Sequence, residues 1–573
     1  MAKSSLAALL KRLDEARTQH GSVSEQHYLQ LLTAAGRVDF GKDAPSLIRF
    51  HDVCLFLRAF PPGQRVLLLA DRLLAGFEKR VKAALTAGAD ADAFVPEEVA
   101  GIAGTVVEAT YSYPMACWLV QHHARAISVA WDQFERETQR ASTWPRFFPL
   151  MEEDSFTEAN VPYREWLKAA CGRQDELPWL VKCFQRLPLS EKEKGELYDS
   201  LELLVRWDMG GSPVSRTVAR RPVKQFYFHS RPLIVRRQVS LADELAKPAL
   251  PVKKLSRKQA EKMLDTVKET LGVRYRELYG TSNGDPGWVV QCSVGRGVEI
   301  HLWGLAPQTR HPLRAYLAGF TLKNGVPINY FEVLSLFDWL ELGFNTFPAY
   351  RDGETAWIYA QTLRLLRQIY GVRVISVYPY QIGDGNEEAI DSGAFWFYRK
   401  LGFRSMNADL ERLALAEEKK VLANRAYRTS ARTLRRLSKA PVVHEMPGAE
   451  VGAWDGFAMR NIGFALQRRM AREFDGDAEK MRKACIEKIA RELNAKPERM
   501  RAHEQKAFAD FAMVLSLAPD LPRWAPEEKA GVLGIIAARA GKTEQRYMRL
   551  LQKHYRLRKA ILRLGASSGK TAL

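Results

Sequence analysis

Cysteine is scarce. The six present, at 54, 117, 171, 183, 292 and 485, form no CxxC pair and no Cys/His set at zinc spacing. That excludes a dithiol redox motif and a structural zinc site, and leaves buried free thiols as the expectation. His122 and His123 are adjacent, and neighbours on a helix diverge, so they make no metal face. No metal is expected. No HExxH, GxSxG or intact P-loop occurs, which removes zinc proteases, serine-hydrolase elbows and P-loop NTPases. Long hydrophobic runs are missing as well. The best window, 53–70, is broken by Arg58, Pro61, Pro62 and Arg65, well short of the roughly 18 apolar residues of a spanning helix. The N-terminal apolar stretch before Lys11 is too short for a signal peptide. A cytoplasmic protein with no membrane span is the expectation.

Acidic residues are the scarce sign of charge: 66 Asp and Glu stand against 86 Lys and Arg, a net +20. The excess is uneven, with +15 lying in the 163 residues from Glu411 onward. Between Lys419 and His444 there is no acid at all. There Arg425, Arg428, Arg432, Arg435 and Lys439 step by three and four, which predicts one basic helix face widened by Arg436. A second basic helix is predicted over 543–564, with Met548, Leu551, Tyr555 and Leu562 opposite Arg546, Arg549, Lys553, Arg556 and Lys559. No sequence-reading module accompanies either run. The expected partner is a polyanion, RNA or an acidic carrier protein, held through its charge.

A chain of this length exceeds one compact core. Residues 1–211 read as a mostly helical domain, with helix-length apolar patterns at 47–79 and 102–136 and a capping box at Ser190–Glu193. Residues 212–254 form a basic, proline-punctuated passage in which Arg216, Arg220, Arg221, Lys224, Arg231, Arg236 and Arg237 interleave with Phe226, Tyr227 and Phe228. A strand and linker with a solvated face is the plainer reading, and a single-stranded nucleic acid the sharper one. Residues 255–410 read as an α/β (α+β) domain. A capping box at Ser256–Gln259 opens a helix, strands follow at 288–294 and 298–305, and Asn324-Gly325 turns a hairpin between 314–323 and 326–337. A helix after Arg351-Asp352-Gly353 stops at Gly371, and a strand at 372–377 leads to an aromatic helix at 394–401. Residues 411–573 are a basic helical region. The fold class expected is therefore a central mixed sheet domain between N-terminal and C-terminal mainly α-helical regions.

The run Asp391-Ser392-Gly393-Ala394-Phe395-Trp396-Phe397-Tyr398-Arg399-Lys400-Leu401-Gly402-Phe403 resembles the last conserved motif of the GNAT acyltransferase superfamily, Asn-x-x-Ala-x-x-x-Tyr-x-x-x-Gly-Phe, with Asp391 in place of Asn. The resemblance covers roughly 255–404, and the element order is the family's too. It implies acyl transfer from a thioester donor, with acyl-CoA (acetyl-CoA) as co-substrate, to an amine acceptor. It implies Tyr398 as the acid for the departing thiolate. It also implies a pyrophosphate cradle at Arg351, Asp352, Gly353, Glu354, Thr355 and Ala356, where a helix N-terminus offers unpaired N–H groups to an anion. The loop departs from the family pattern. With Arg351 in the first slot, Glu354 stands where glycine belongs and Ala356 fills the last. With Gly353 in the glycine slot, Tyr350 and Thr355 flank it. Asp352 and Glu354 place negative charge beside a diphosphate, which costs free energy. Glu332 in the penultimate strand is the candidate base, with Asp338 and Glu341 nearer the strand end. Two alternatives stand beside this reading. One keeps the fold and takes the acyl or aminoacyl group from acyl carrier protein or aminoacyl-tRNA. The other is a GNAT-like protein without catalysis that binds nucleic acid or a protein through its basic tail.

Overall fold

The computed structural model describes residues 3–133, 143–149, 163–424 and 426–566. Their apolar side chains gather into two cores. The smaller is built from residues 107–214 with Val273. Strands β1 (Val106–Thr110), β2 (Ile127–Val129) and β3 (Leu204–Asp208) pair antiparallel in the order β1-β3-β2. Helices Tyr113–His123, Glu176–Arg186 and Glu191–Asp199 pack with them. The mainly helical first region thus holds a small sheet that periodicity does not announce, because a strand as short as β2 shows no alternation. Trp144 and Trp207 are fully buried in it, as core packing requires.

The larger core joins the first five helices, the central sheet and the C-terminal helices. Nine strands form the sheet, in the order β11-β12-β10-β9-β8-β7-β6-β5-β4. They are β4 (Val252–Lys254), β5 (Gly284–Gly295), β6 (Val298–Leu305), β7 (Ala315–Lys323), β8 (Val326–Leu336), β9 (Trp339–Thr346), β10 (Val374–Val377), β11 (Arg404–Ser405) and β12 (Val442–Glu445). From β4 to β9 the ladder is antiparallel. β10 then joins β9 in parallel by way of helix Thr355–Tyr370, the crossover that parallel pairing demands. β12 inserts between β10 and β11 and runs antiparallel to both. The architecture is mixed α/β, a large sheet flanked by helices.

Asn324 (φ 49°) and Gly325 (φ 78°) both take left-handed geometry, so β7 and β8 are joined by the turn their sequence announces. The next reversal carries no such signal. Phe337 itself adopts φ 54°, so no glycine or asparagine marks where β8 ends and β9 begins. In register, Glu332 faces Gly343 and Phe331 faces Phe344. β10 matches only Trp339, Leu340 and Glu341 of β9. From Leu342 onward β9 pairs with β8 alone, so the sheet opens between the far ends of β9 and β10.

Candidate functional site

Glu332 lies mid-way along β8, on the face that carries Tyr316 of β7 and meets helix Tyr279–Ser282. The Tyr316 hydroxyl donates to Glu332 Oε1 and accepts from the Gly280 amide at 3.1 Å. The side chain is half-buried and forms no ion pair among the described residues. Burial pushes its carboxyl up to about 7, against a weaker downward pull from Arg276. Arg276 is itself paired with Glu97 and lies 5.8 Å over the ring of Tyr330, which shares the face of Glu332. A carboxyl half-ionised near neutral pH can take a proton from a bound acid and return it. Gly343, directly across, adds no side chain to that row, which leads to the opening beside Gln381. Of the other two carboxylates near this strand, Asp338 is held by Arg558 at 3.2 Å and Glu341 lies 3.8 Å from Arg314.

Glu354 has the opposite surroundings. It is fully buried at the start of helix Thr355–Tyr370, where it is ion-paired to Arg296 and lies 3.7 Å from Lys323. It also accepts from the Ile234 amide at 3.0 Å. Burial pushes the Lys323 ammonium down to about 7, with Glu354 pulling the other way. Lys323 is caged by the rings of Phe60 and Tyr227, at 4.8 Å and 5.1 Å. His229, beside Arg296, is held neutral by burial and by the neighbouring cations. The rest of the expected cradle lies nearer the surface, with Arg351 and Asp352 exposed and Gly353 and Thr355 half-buried. A Cβ on Gly353 would come within 2.5 Å of the Phe60 ring. Asp352 pairs with Arg17 at 2.8 Å, Arg351 pairs with Glu388, the Thr355 hydroxyl donates to Arg351 O at 3.1 Å, and Ala356 is buried. The N-terminal helices cover this turn, and the buried anion against it is the protein's own carboxylate.

Tyr398, on helix Ala394–Arg399, is 4% exposed, and burial pushes its phenol up. Its ring packs on Tyr359 and Phe403, and Tyr359 meets Phe344 edge-on at 5.1 Å. Phe344 is the partner of Phe331, and side chains alternate along a strand. Tyr398 therefore belongs to the face opposite Glu332. No hydrogen bond or ring contact among the described residues joins the two. The structure also adds residues that sequence reasoning missed: Tyr316 and Arg276 around Glu332, Arg296 and Lys323 around Glu354. Their sequence signal is confined to strand parity, which places 316 and 332 on one face only once the register is known.

The basic C-terminal helices need correction. The single face expected over 425–439 does not exist, because helix Ala408–Ala423 ends before it and Ser430 caps a new short helix, Ala431–Leu437. The Ser430 hydroxyl accepts from the Thr433 amide at 3.2 Å, a local bond that favours a helix start over a helix interior. Arg428 precedes this helix, Arg432, Arg435 and Arg436 lie on it, and Lys439 follows it. Arg425 lies outside the described residues. Arg435 and Lys439 are paired with Glu387 and Asp384, whereas Arg432 and Arg436 are exposed and form no ion pair among the described residues. The second expected basic helix breaks at His554 into Glu544–Lys553 and Tyr555–Gly565. His554 Nδ1 accepts from the Leu557 amide at 3.1 Å, and Tyr555, expected on the apolar face, is 69% exposed.

Among the described residues no helix is long and apolar enough to cross a membrane, and no group of three or more His, Cys, Asp or Glu is placed to hold a metal ion. Comparisons with protein-family models, curated proteins and solved structures find no match for this chain.

Proposed function

We propose that this chain transfers an acyl group to an amine at the opening between β9 and β10, as its GNAT-like motif implies, with Glu332 as the base. The observation that carries the reading is the half-buried Glu332 carboxyl, tuned to about 7 beside a sheet that opens. An incoming ammonium gives its proton to Glu332. The free amine then attacks the acyl carbonyl, the tetrahedral intermediate collapses as the bond to the leaving group breaks, the nitrogen releases its second proton to solvent, and the leaving group takes a proton. Tyr398 is the group the motif offers for this last proton.

The Asp352 and Glu354 carboxylates and the crowded Gly353 at this turn favour a donor held by something other than a diphosphate at that helix end. An aminoacyl-tRNA meets this requirement. It is an ester donor on a polyanionic body, and the +15 excess after Glu411 gives that body a surface. Full-length protein incubated with labelled aminoacyl-tRNA, acyl carrier protein thioester or acetyl-CoA, against a panel of amines, tests both parts. Label is expected to pass from aminoacyl-tRNA to an amine, with a steep loss at high salt. Glu332→Gln is expected to slow transfer by about 10²–10⁴-fold. Saturable thermal stabilisation by acetyl-CoA together with transfer from it would restore acyl-CoA as the donor. Transfer from none of the three would overturn the reaction itself.

A further inference from the structure

Lys253, Gln291 and His301 stand side by side across β4, β5 and β6: the register pairs Lys253 with Gln291 and Gln291 with His301. At about 4.8 Å between strands, the row runs about 10 Å from ammonium stem to imidazole. These three residues line a cavity of about 860 Å³, which is also walled by Met263 of helix Arg257–Gly272 and by the 221–227 segment. That volume lies within the range of small-molecule sites, roughly 300–1,000 Å³.

The polar groups here are not used up by the fold. His301 is 2% exposed, and its Nδ1 is enclosed without a hydrogen-bond partner. Burial, with help from Arg221, pushes its ring down to about 3, so the imidazole is neutral. An enclosed bare acceptor is tolerated better than an enclosed orphan N–H, so the ring proton belongs on Nε2, the nitrogen left to meet the cavity. The Gln291 amide beside it offers both a donor and an acceptor. Glu299, two residues before His301 on β6, lines the same cavity, and Arg221 nearby offsets its charge. Lys224 and Lys253 are exposed at the rim and form no ion pair among the described residues.

His301 and Gln291 present a donor and acceptor edge, Glu299 a hydroxyl acceptor two residues along β6, and Lys253 a cation on the outer strand beside Gln291, groups suited to a base, a sugar and a phosphate. We infer that this cavity binds a nucleotide, with the base edge on His301 and Gln291, the sugar hydroxyls toward Glu299, and the phosphate on Lys253 and Lys224. The site is independent of the acyl-transfer reading and lies on a different part of the sheet.

Calorimetric titration of the full chain with AMP, GMP, CMP and UMP tests it, with inorganic phosphate, the free nucleosides and a short single-stranded oligoribonucleotide as further arms. At least one nucleotide is expected to bind saturably below millimolar, more tightly than its nucleoside or phosphate alone. Lys253→Glu, at an exposed position, is expected to weaken that nucleotide by about tenfold, the loss of one charge-assisted contact, and to leave the nucleoside unaffected. Gln291→Leu is expected to weaken nucleotide and nucleoside alike. An oligoribonucleotide that binds where mononucleotides do not, and is sensitive to Lys253→Glu, would place the same chemistry in a nucleic acid chain. No binding by any arm at millimolar concentration, or binding indifferent to both variants, would overturn the proposal. Because the readout is binding rather than transfer, failure here leaves the acyl-transfer reading untouched.

Discussion

Two glutamates of the central domain show how surroundings decide what a carboxylate can do. Glu354 is fully enclosed but meets Arg296, Lys323 and a backbone amide. Glu332 is less buried yet meets a single tyrosine hydroxyl and no paired cation. The better-buried group is therefore the chemically quieter one. Enclosure raises a carboxyl that meets no counter-charge, as at Glu332, whereas a buried carboxylate that meets cations and a donor becomes part of the packing. Glu354 ties the start of helix Thr355–Tyr370 to β7, to the turn between β5 and β6 and to the backbone at Ile234, whereas Glu332 is left able to exchange a proton near neutral pH.

The largest effect follows from breaking the first arrangement. Glu354→Gln strips Arg296 and Lys323 of their shared counter-charge in a dry site, and the expected cost is about 3–5 kcal/mol in denaturant unfolding. Lys323 can shed its proton to escape part of that cost. Its folded value of about 7 lies below the ordinary 10.5, and it falls further once Glu354 is gone. Between its folded and unfolded values such a group gains stability with pH in parent and variant alike, so the deficit of the variant should narrow below pH 7, between the variant's lower Lys323 value and the parent's, and stay level above it. A variant that unfolds like the parent at every pH would mean that the cluster does not hold these elements together.

The second glutamate predicts the reverse sign. A carboxyl whose value rises from 4.5 to about 7 on folding holds more protons folded than unfolded between those limits. It therefore destabilises the fold progressively as pH climbs through that window, reaching about 3 kcal/mol above it. Glu332→Gln should be more stable than the parent at pH 8, by up to that amount, and indistinguishable from it at pH 4. Thermal melts at the two pH values suffice. A loss of stability at pH 8 would show that Glu332 is an ordinary hydrogen-bonded strut.

What sequence can announce here is local. The hairpin at Asn324-Gly325, the strand at 298–305 and the helix stop at Gly371 each depend on a few adjacent residues, and each is where it was expected. The turn at Phe337 lacks the residue types that mark left-handed geometry, so β9 was unreadable, and with it the opening between β9 and β10. Helical spacing through 425–439 was real but was overruled by the Ser430 cap. The two glutamates expose the deeper limit. Both could be nominated from position, but their partners come from other strands and from segments far away in the chain. No short window shows that Arg296 and Lys323 neutralise one while only Arg276, itself committed to Glu97, approaches the other.

The smallest effect sharpens the contrast most. Among the described residues Arg276 is the cation that pulls the Glu332 carboxyl down, and it does so at a distance, because its guanidinium is paired with Glu97. Arg276→Met removes that pull while keeping an apolar side chain of similar reach beside Tyr330. The Glu332 titration should move upward by a fraction of a unit, since a long-range charge in partly solvated surroundings is worth well under 1.4 kcal/mol. Carboxyl chemical shifts of Glu332 followed against pH read this directly and need no substrate. A pH–rate profile of the transfer reaction should shift in the same direction, because the base would reach its ionised form later. A downward shift would mean that Arg276 orders solvent or structure around the carboxyl instead of acting through its charge. An unmoved titration would assign the position of Glu332 on the pH scale to burial and the Tyr316 hydroxyl alone.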